Sequence, residues 1–223
     1  LLRYRVEAVL LLASSMSVTL ARRCREEGIP VICFNSQLGS NKKFTSFVCN
    51  NREGAGQLAA HLVAQGYRRL AMIGGAPGSP TGLEREAGFT DAVVKQGLPP
   101  PVTEVGNCSR EEAKVAARKL LRRPKRPDAI FCSNDYMALA AIEVARYDFG
   151  LRIGSDIGIA GFDNIEQSAW PSFDLTTFTY PMSKMIDEVV KIILSGVDPN
   201  RAVNRIVQGK LVVRGSTRRE NTD

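Results

Sequence analysis

Five short apolar runs in this sequence end on residues able to do polar chemistry. Val31–Phe34 ends on Asn35, and residues 70–73 end on a glycine-rich loop, 74–82, that leads to Arg85. Val102–Val105 ends on Asn107 and Cys108, Ala129–Cys132 on Asn134 and Asp135, and residues 157–161 on Asp163 and Asn164. An arginine fork, amides and a carboxylate are planar donors and acceptors. Gathered at one mouth they suit a polyhydroxylated ligand, because each hydroxyl both donates and accepts. Asp163 can accept from two neighbouring hydroxyls, and Arg85 can donate to two oxygens. Phe34, Phe162 and Tyr180 stand nearby in sequence as faces for a sugar ring. Plainer readings stand beside these. Asn134 or Asp135 can simply cap a helix, Asp163-Asn164 can be an ordinary turn, and Cys108 can be inert filler. Arg85 is expected in a first helical turn, where the dipole opposes a cation, so an anionic or polar partner is expected for it.

Other chemistries lack their residues. The single histidine, His61, lies mid-helix with no nucleophile near it, which argues against an enzyme. No G-x-S-x-G elbow is present, and 74–79 is glycine-rich without a phosphate-loop or dinucleotide spacing. No cofactor is implied. Cys24, Cys33, Cys49, Cys108 and Cys132 are odd in number and none forms a C-x-x-C, so neither a disulfide framework nor a metal site is signalled. Thiols in strand-like runs point to a reducing compartment, the cytoplasm. The net charge of +7 sits mostly on the polar faces of expected helices, as at Ala117-Arg118-Lys119, and reads as solvated surface. The longest apolar run, Ala8 to Ala13, is far short of the ~20 residues of a membrane helix.

What must position the polar residues is an alternation of short apolar runs with amphipathic helices, the pattern of an α/β fold with parallel sheets. Strands are expected at 7–12, 31–34, 45–49, 70–73, 102–105, 129–132, 157–161, 176–180, 205–207 and 211–214. Helices are expected at 17–27, 52–65, 83–96, 109–122, 135–147 and 182–194. Val18, Ala21 and Cys24 share one helical face, and Asn50 or Asn51 starts the second helix, which Gly66 stops. Ser109 and Glu112 form a capping box. Leu1–Tyr4 reads as the last turn of a helix running into a buried strand. Parallel strands are flanked on both sides, so the first lobe is expected to lack upstream strands and the sequence to be a partial representation of a longer chain.

Several stretches together resemble the lactose-repressor/galactose-repressor (LacI/GalR) family. They are Gly28-Ile29-Pro30-Val31, the run from Gly66 to Gly75, Arg85-Glu86-Ala87-Gly88-Phe89, the run from Pro127 to Asp135, Ile159-Ala160-Gly161-Phe162-Asp163-Asn164, Leu175-Thr176-Thr177 and Arg214-Gly215-Ser216-Thr217. The likeness is collinear over essentially the whole chain. It implies two Rossmann-like lobes of the periplasmic-binding-protein-like type I, joined by three crossovers: residues 1–49 plus 181–208, and 50–180 plus 209–223. It implies a sugar-like effector between the lobes that biases their rotation, a homodimer, and operator DNA bound through a helix-turn-helix headpiece not in this sequence. No membrane is involved. By the resemblance, effector contacts fall on Arg85, Asn134 and Asp163 foremost, then on Phe34, Asn35, Thr81 and Tyr180. Cys108 stands where many members carry an aromatic platform, and Leu12 where a polar group can occur. Alanine at Arg85 or Asp163 is expected to abolish binding and leave the fold intact. A periplasmic sugar-binding protein of a transporter is the alternative.

Overall fold

A computed structural model describes residues 6, 8–12, 18–35, 44–196 and 201–219; the side chains of Leu12 and Val18 are not described. The turn expected at Leu1–Tyr4 and the first residues of the strand and helix that follow it lie outside the described residues. The chain divides into two compact units, Leu1–Asn50 with Pro181–Gln208, and Asn51–Tyr180 with Gly209–Asp223. It therefore passes between them three times.

The first unit holds β1 (Val9–Leu12), α1 (Val18–Glu26), β2 (Val31–Phe34), β3 (Thr45–Cys49), α6 (Met182–Leu194) and β9 (Asn204–Val207). Its four strands pair in parallel in the order β1-β2-β3-β9. Ala21 and Cys24 pack from α1 onto Val9, Val31 and Cys33, as the face-sharing of those two residues predicts. Gly28, at φ 74°, ends the helix in the left-handed region.

The second unit is larger: α2 (Asn51–Ala64), β4 (Leu70–Gly74), α3 (Pro80–Lys95), β5 (Val102–Val105), α4 (Arg110–Leu121), β6 (Ala129–Cys132), α5 (Asp135–Glu143), β7 (Gly158–Asp163), β8 (Thr176–Thr179) and β10 (Leu211–Val212). Its sheet runs β10-β8-β7-β6-β4-β5, parallel throughout except for β10, which pairs antiparallel to β8. β4 and β6 lie inside the sheet and are wholly buried, so they read as continuous apolar runs; β5, at the edge, leaves Val102 and Val105 exposed. α5 is buried nearly all round, from Met137 to Ile142, which its apolar composition requires.

Three local expectations are corrected. α3 begins at Pro80 rather than residue 83, because the Ser79 hydroxyl accepts from the Gly82 amide at 3.4 Å and Pro80 suits a first helical position. The helix expected to run unbroken through 135–147 is α-helical only to Glu143 and continues as a π turn over Val144–Asp148; Gly150, at φ 64°, follows it. The capping box is half made. Ser109 accepts from the Glu112 amide at 3.4 Å, but the Ser109 amide donates to the Gly106 carbonyl, and the Glu112 carboxylate takes the Asn107 amide at 3.2 Å. His61, expected as a packing or surface residue, lies 2.8 Å from the Thr217 hydroxyl.

Candidate functional site

The carboxyl ends of parallel strands are where open α/β sheets hold ligands, because helix amino termini converge there. In the second unit that edge is built around Arg85. Since α3 starts early, Arg85 is in its second turn and not its first, so dipole repulsion is not what calls for a partner. Burial is: the residue is only 6% exposed. Its Nε donates to Asn51 Oδ1 at 2.9 Å and its Nη1 to the Ser133 carbonyl at 2.5 Å. Its Nη2 lies 3.3 Å from Asp163 Oδ1, and its carbon sits 3.8 Å over the Phe162 ring. Asn51 in turn donates to Glu84 Oε2 at 3.1 Å. A buried guanidinium is tolerable only with such pairing.

Asp163 is the last residue of β7, because the pairing with β8 extends to Asp163 opposite Thr179. Its φ is 120° and that of Asn164 is 56°, so the chain turns sharply where the carboxylate is presented. The Tyr180 amide donates to the Asp163 carbonyl at 3.0 Å. Arg214 fixes the far side of the turn, donating to Asn164 Oδ1 and to the Leu175 carbonyl at 2.8 and 2.7 Å. Burial pushes the Asp163 carboxyl up to about 6; Arg85 opposes that rise, and Asp135 adds to it. The side chain keeps 30% of its surface open.

Asn134 is an N-cap, as the plainer reading held: its Oδ1 accepts from the Met137 amide at 2.9 Å. The cap does not use the two amide protons on Nδ2. Asp135 does not cap the helix but lies beneath the edge, fully buried. Cys108 is exposed and, with Asn107, left-handed, at φ 56° and 52°. A methyl group at Gly75 would lie 3.4 Å from both the Cys108 sulfur and the Ser133 hydroxyl, so these two flank one glycine at this edge. Thr81 stands in the first turn of α3, 3.3 Å from the Ser79 hydroxyl.

Two aromatic faces are not available as expected. Phe162 is fully buried, one face covered by Arg85 and its ring tilted against Phe178 at 5.1 Å. Phe34 is 4% exposed, in a strand with partners on both sides. Asn35, at the end of that strand in the first unit, is left-handed at φ 55°, and its Oδ1 is buried with no partner among the described residues. Sequence reasoning missed Asn51 as an Arg85 ligand, Ser133 as its carbonyl acceptor and Phe162 as its platform. Each is a contact between distant chain segments, and the only local signal was the helix-starting asparagine. Among the described residues, no three His, Cys, Asp or Glu side chains group as metal ligands do, and no helix is long and apolar enough to cross a membrane.

Residues 59–217 match the periplasmic binding protein-like domain. The probable HTH-type transcriptional repressor ExuR of Bacillus subtilis is 28% identical over 98% of this chain and 66% of its own length. The HTH-type transcriptional repressor PurR of Aliivibrio fischeri is 33% identical over 95% of this chain and 64% of its own. A solved complex of the transcriptional regulator CelR with cellobiose superimposes with a TM-score of 0.84 at 26% identity, covering 95% of this chain and 66% of that one. The chain thus spans just under two thirds of these repressors. It belongs to the periplasmic binding protein-like domain family. Within that family its likeness is to transcriptional repressors and regulators, LacI transcriptional regulators among them.

Proposed function

We propose that this chain is the sensing core of a LacI-type transcriptional repressor and takes a small, uncharged, hydroxyl-rich effector. The observation that carries this reading is the arrangement of Arg85. Three protein groups and an aromatic face hold its guanidinium still, and its charge is met by Asp163 at 3.3 Å. A cation already neutralised has little left for a phosphate or carboxylate. The rigid donor fork beside a carboxylate acceptor instead matches neighbouring hydroxyls. Asn134 Nδ2 adds a donor, and Thr81, Tyr180 and Cys108 line the surrounding loops. Asn35, at the end of β2 with its Oδ1 unmatched among the described residues, is the first unit's own candidate contact. The cellobiose bound to CelR supports a sugar-like ligand.

Effector binding biases rotation of one unit against the other and so changes how a homodimer spaces two operator-reading segments, which lie outside these 223 residues. It can act only through unequal affinity for the two states. Carrying the protein from almost wholly one state to almost wholly the other takes about 5.5 kcal/mol of that inequality. A repressor works on DNA in the cytoplasm, in keeping with cysteines set singly in strand runs.

Thermal-shift measurement against neutral mono- and disaccharides, nucleosides, uronates and sugar phosphates tests the reading. A ligand at a hundred times its Kd adds about 2.7 kcal/mol of stability. A neutral sugar or nucleoside should raise the melting temperature and Asp163→Asn should lose the effect. Stabilisation by the anionic compounds alone, or an undiminished response in Asp163→Asn, sinks the proposal.

A further inference from the structure

Asp135 is the first residue of α5 and is fully buried, yet no cation among the described residues pairs with it. Everything described around its carboxylate donates. The Thr177 hydroxyl donates to Oδ1 at 2.6 Å; the Ser168 hydroxyl and the Ile165 amide donate to Oδ2 at 2.6 and 3.0 Å. The Asn164 amide also faces it, 3.4 Å from Thr177 Oγ1. Burial pushes the Asp135 carboxyl up, and these donors oppose that rise, as does the amino end of α5, which favours a negative charge there. The space is so close that a methyl group at Gly161 would collide with Asp135 Oδ1.

The segments so gathered are those that carry Asp163. Asn164 and Ile165 follow it directly, Ser168 closes the turn beyond, and Thr177 lies on the strand paired with β7. We infer that Asp135 is the positioning residue of this edge: it fastens the left-handed turn after β7 and thereby fixes where Asp163 meets Arg85. It touches no ligand itself. Its charge also bears on Asp163, since a second carboxylate close by disfavours ionisation of the first. The other charged or titratable groups near the pair are Arg85, Arg214 behind the turn, and the Cys132 thiol, which burial and Asp135 both push up.

This role matters for function only if Asp163 faces the effector, as proposed above, but it is measured on the unliganded chain, so the two readings fail separately. The probe is carbon-13 NMR of the aspartate carboxyls across pH, with Asp163 assigned by loss of its signal in Asp163→Asn. In Asp135→Asn, which keeps the shape, the Asp163 midpoint should fall by roughly half a pH unit or more, because a like charge is removed while Arg85 remains. The Asn164 and Ile165 amide resonances should move with it. If Asp135→Asn does not fold, Ser168→Ala removes one donor and should move the same midpoint and amides together. A folded variant of either kind with both readouts unchanged would overturn the assignment.

Discussion

Arg85 and Asp163, 78 residues apart in the sequence, meet at 3.3 Å at the carboxyl end of β7, and the arginine is bound on two further sides by Asn51 and the Ser133 carbonyl. This makes Arg85 part of the frame as well as of the site. The expectation that alanine there leaves the fold intact is therefore revised. Arg85→Ala strands a part-buried carboxylate, an amide oxygen and a carbonyl, and should lower unfolding stability in urea by about 3 kcal/mol. Asp163→Asn, which keeps a hydrogen-bond acceptor beside the guanidinium, is the variant that separates binding from folding.

The raised Asp163 carboxyl fixes the sign of a pH effect. Folded, it titrates near 6, against an unfolded value of 3.8, so the folded state holds the proton more tightly. Its stabilising contribution is complete below about pH 4 and is lost as pH rises through 6. Relative to wild type, Asp163→Asn should gain stability between pH 4 and pH 7, read from urea midpoints at both. Effector affinity runs the other way: a ligand that needs the carboxylate as acceptor binds less well at pH 5 than at pH 7.5, and calorimetry at the two pH values measures the difference.

Asn134 has two separable jobs. Asn134→Ala removes the α5 cap and should cost about 1 kcal/mol. Asn134→Ser keeps a capping oxygen but has no amide protons to offer a ligand. Near-wild-type melting with weakened effector binding in Asn134→Ser identifies Nδ2 as a contact; undiminished binding assigns the residue to the cap alone.

Cys108 is exposed while the other four cysteines are buried. A colorimetric disulfide reagent should titrate one thiol of the native chain quickly and the remainder only after unfolding. Effector bound at this edge should slow the fast reaction, and Cys108→Ser should abolish it.

At Gly88, an added methyl group would enter the backbone of Arg52, which places α2 and α3 in direct contact beside the Asn51–Arg85 bond. Gly88→Ala should therefore cost about 1–3 kcal/mol by overpacking and shift α2 relative to α3. The loss in melting temperature and the Arg85 side-chain NMR signals report the two effects.

The alternation of strands and helices is written locally in the residues. An apolar run four to five residues long, or a face repeating every 3.6, declares itself from neighbouring residues alone. Val31–Phe34, Thr45–Cys49, Val102–Val105, Ala129–Cys132 and Met182–Leu194 form where that pattern places them. It also put Asn134 and Asp163 just after strands, and Arg85 on the helix beyond the loop that follows β4, because the strand ends were visible. Element limits were less legible where a distant partner sets them, as when β8 draws β7 out to Asp163. What each polar group does once there depends on packing between distant segments. That Phe162 underlies a guanidinium, that Asn51 holds Arg85, and that Asp135 sits buried among four donors while Asn134 beside it caps a helix are all contacts between segments far apart in the chain. No local spacing encodes such contacts, since they arise when the packed sheet brings its strand ends to one side and removes them from water.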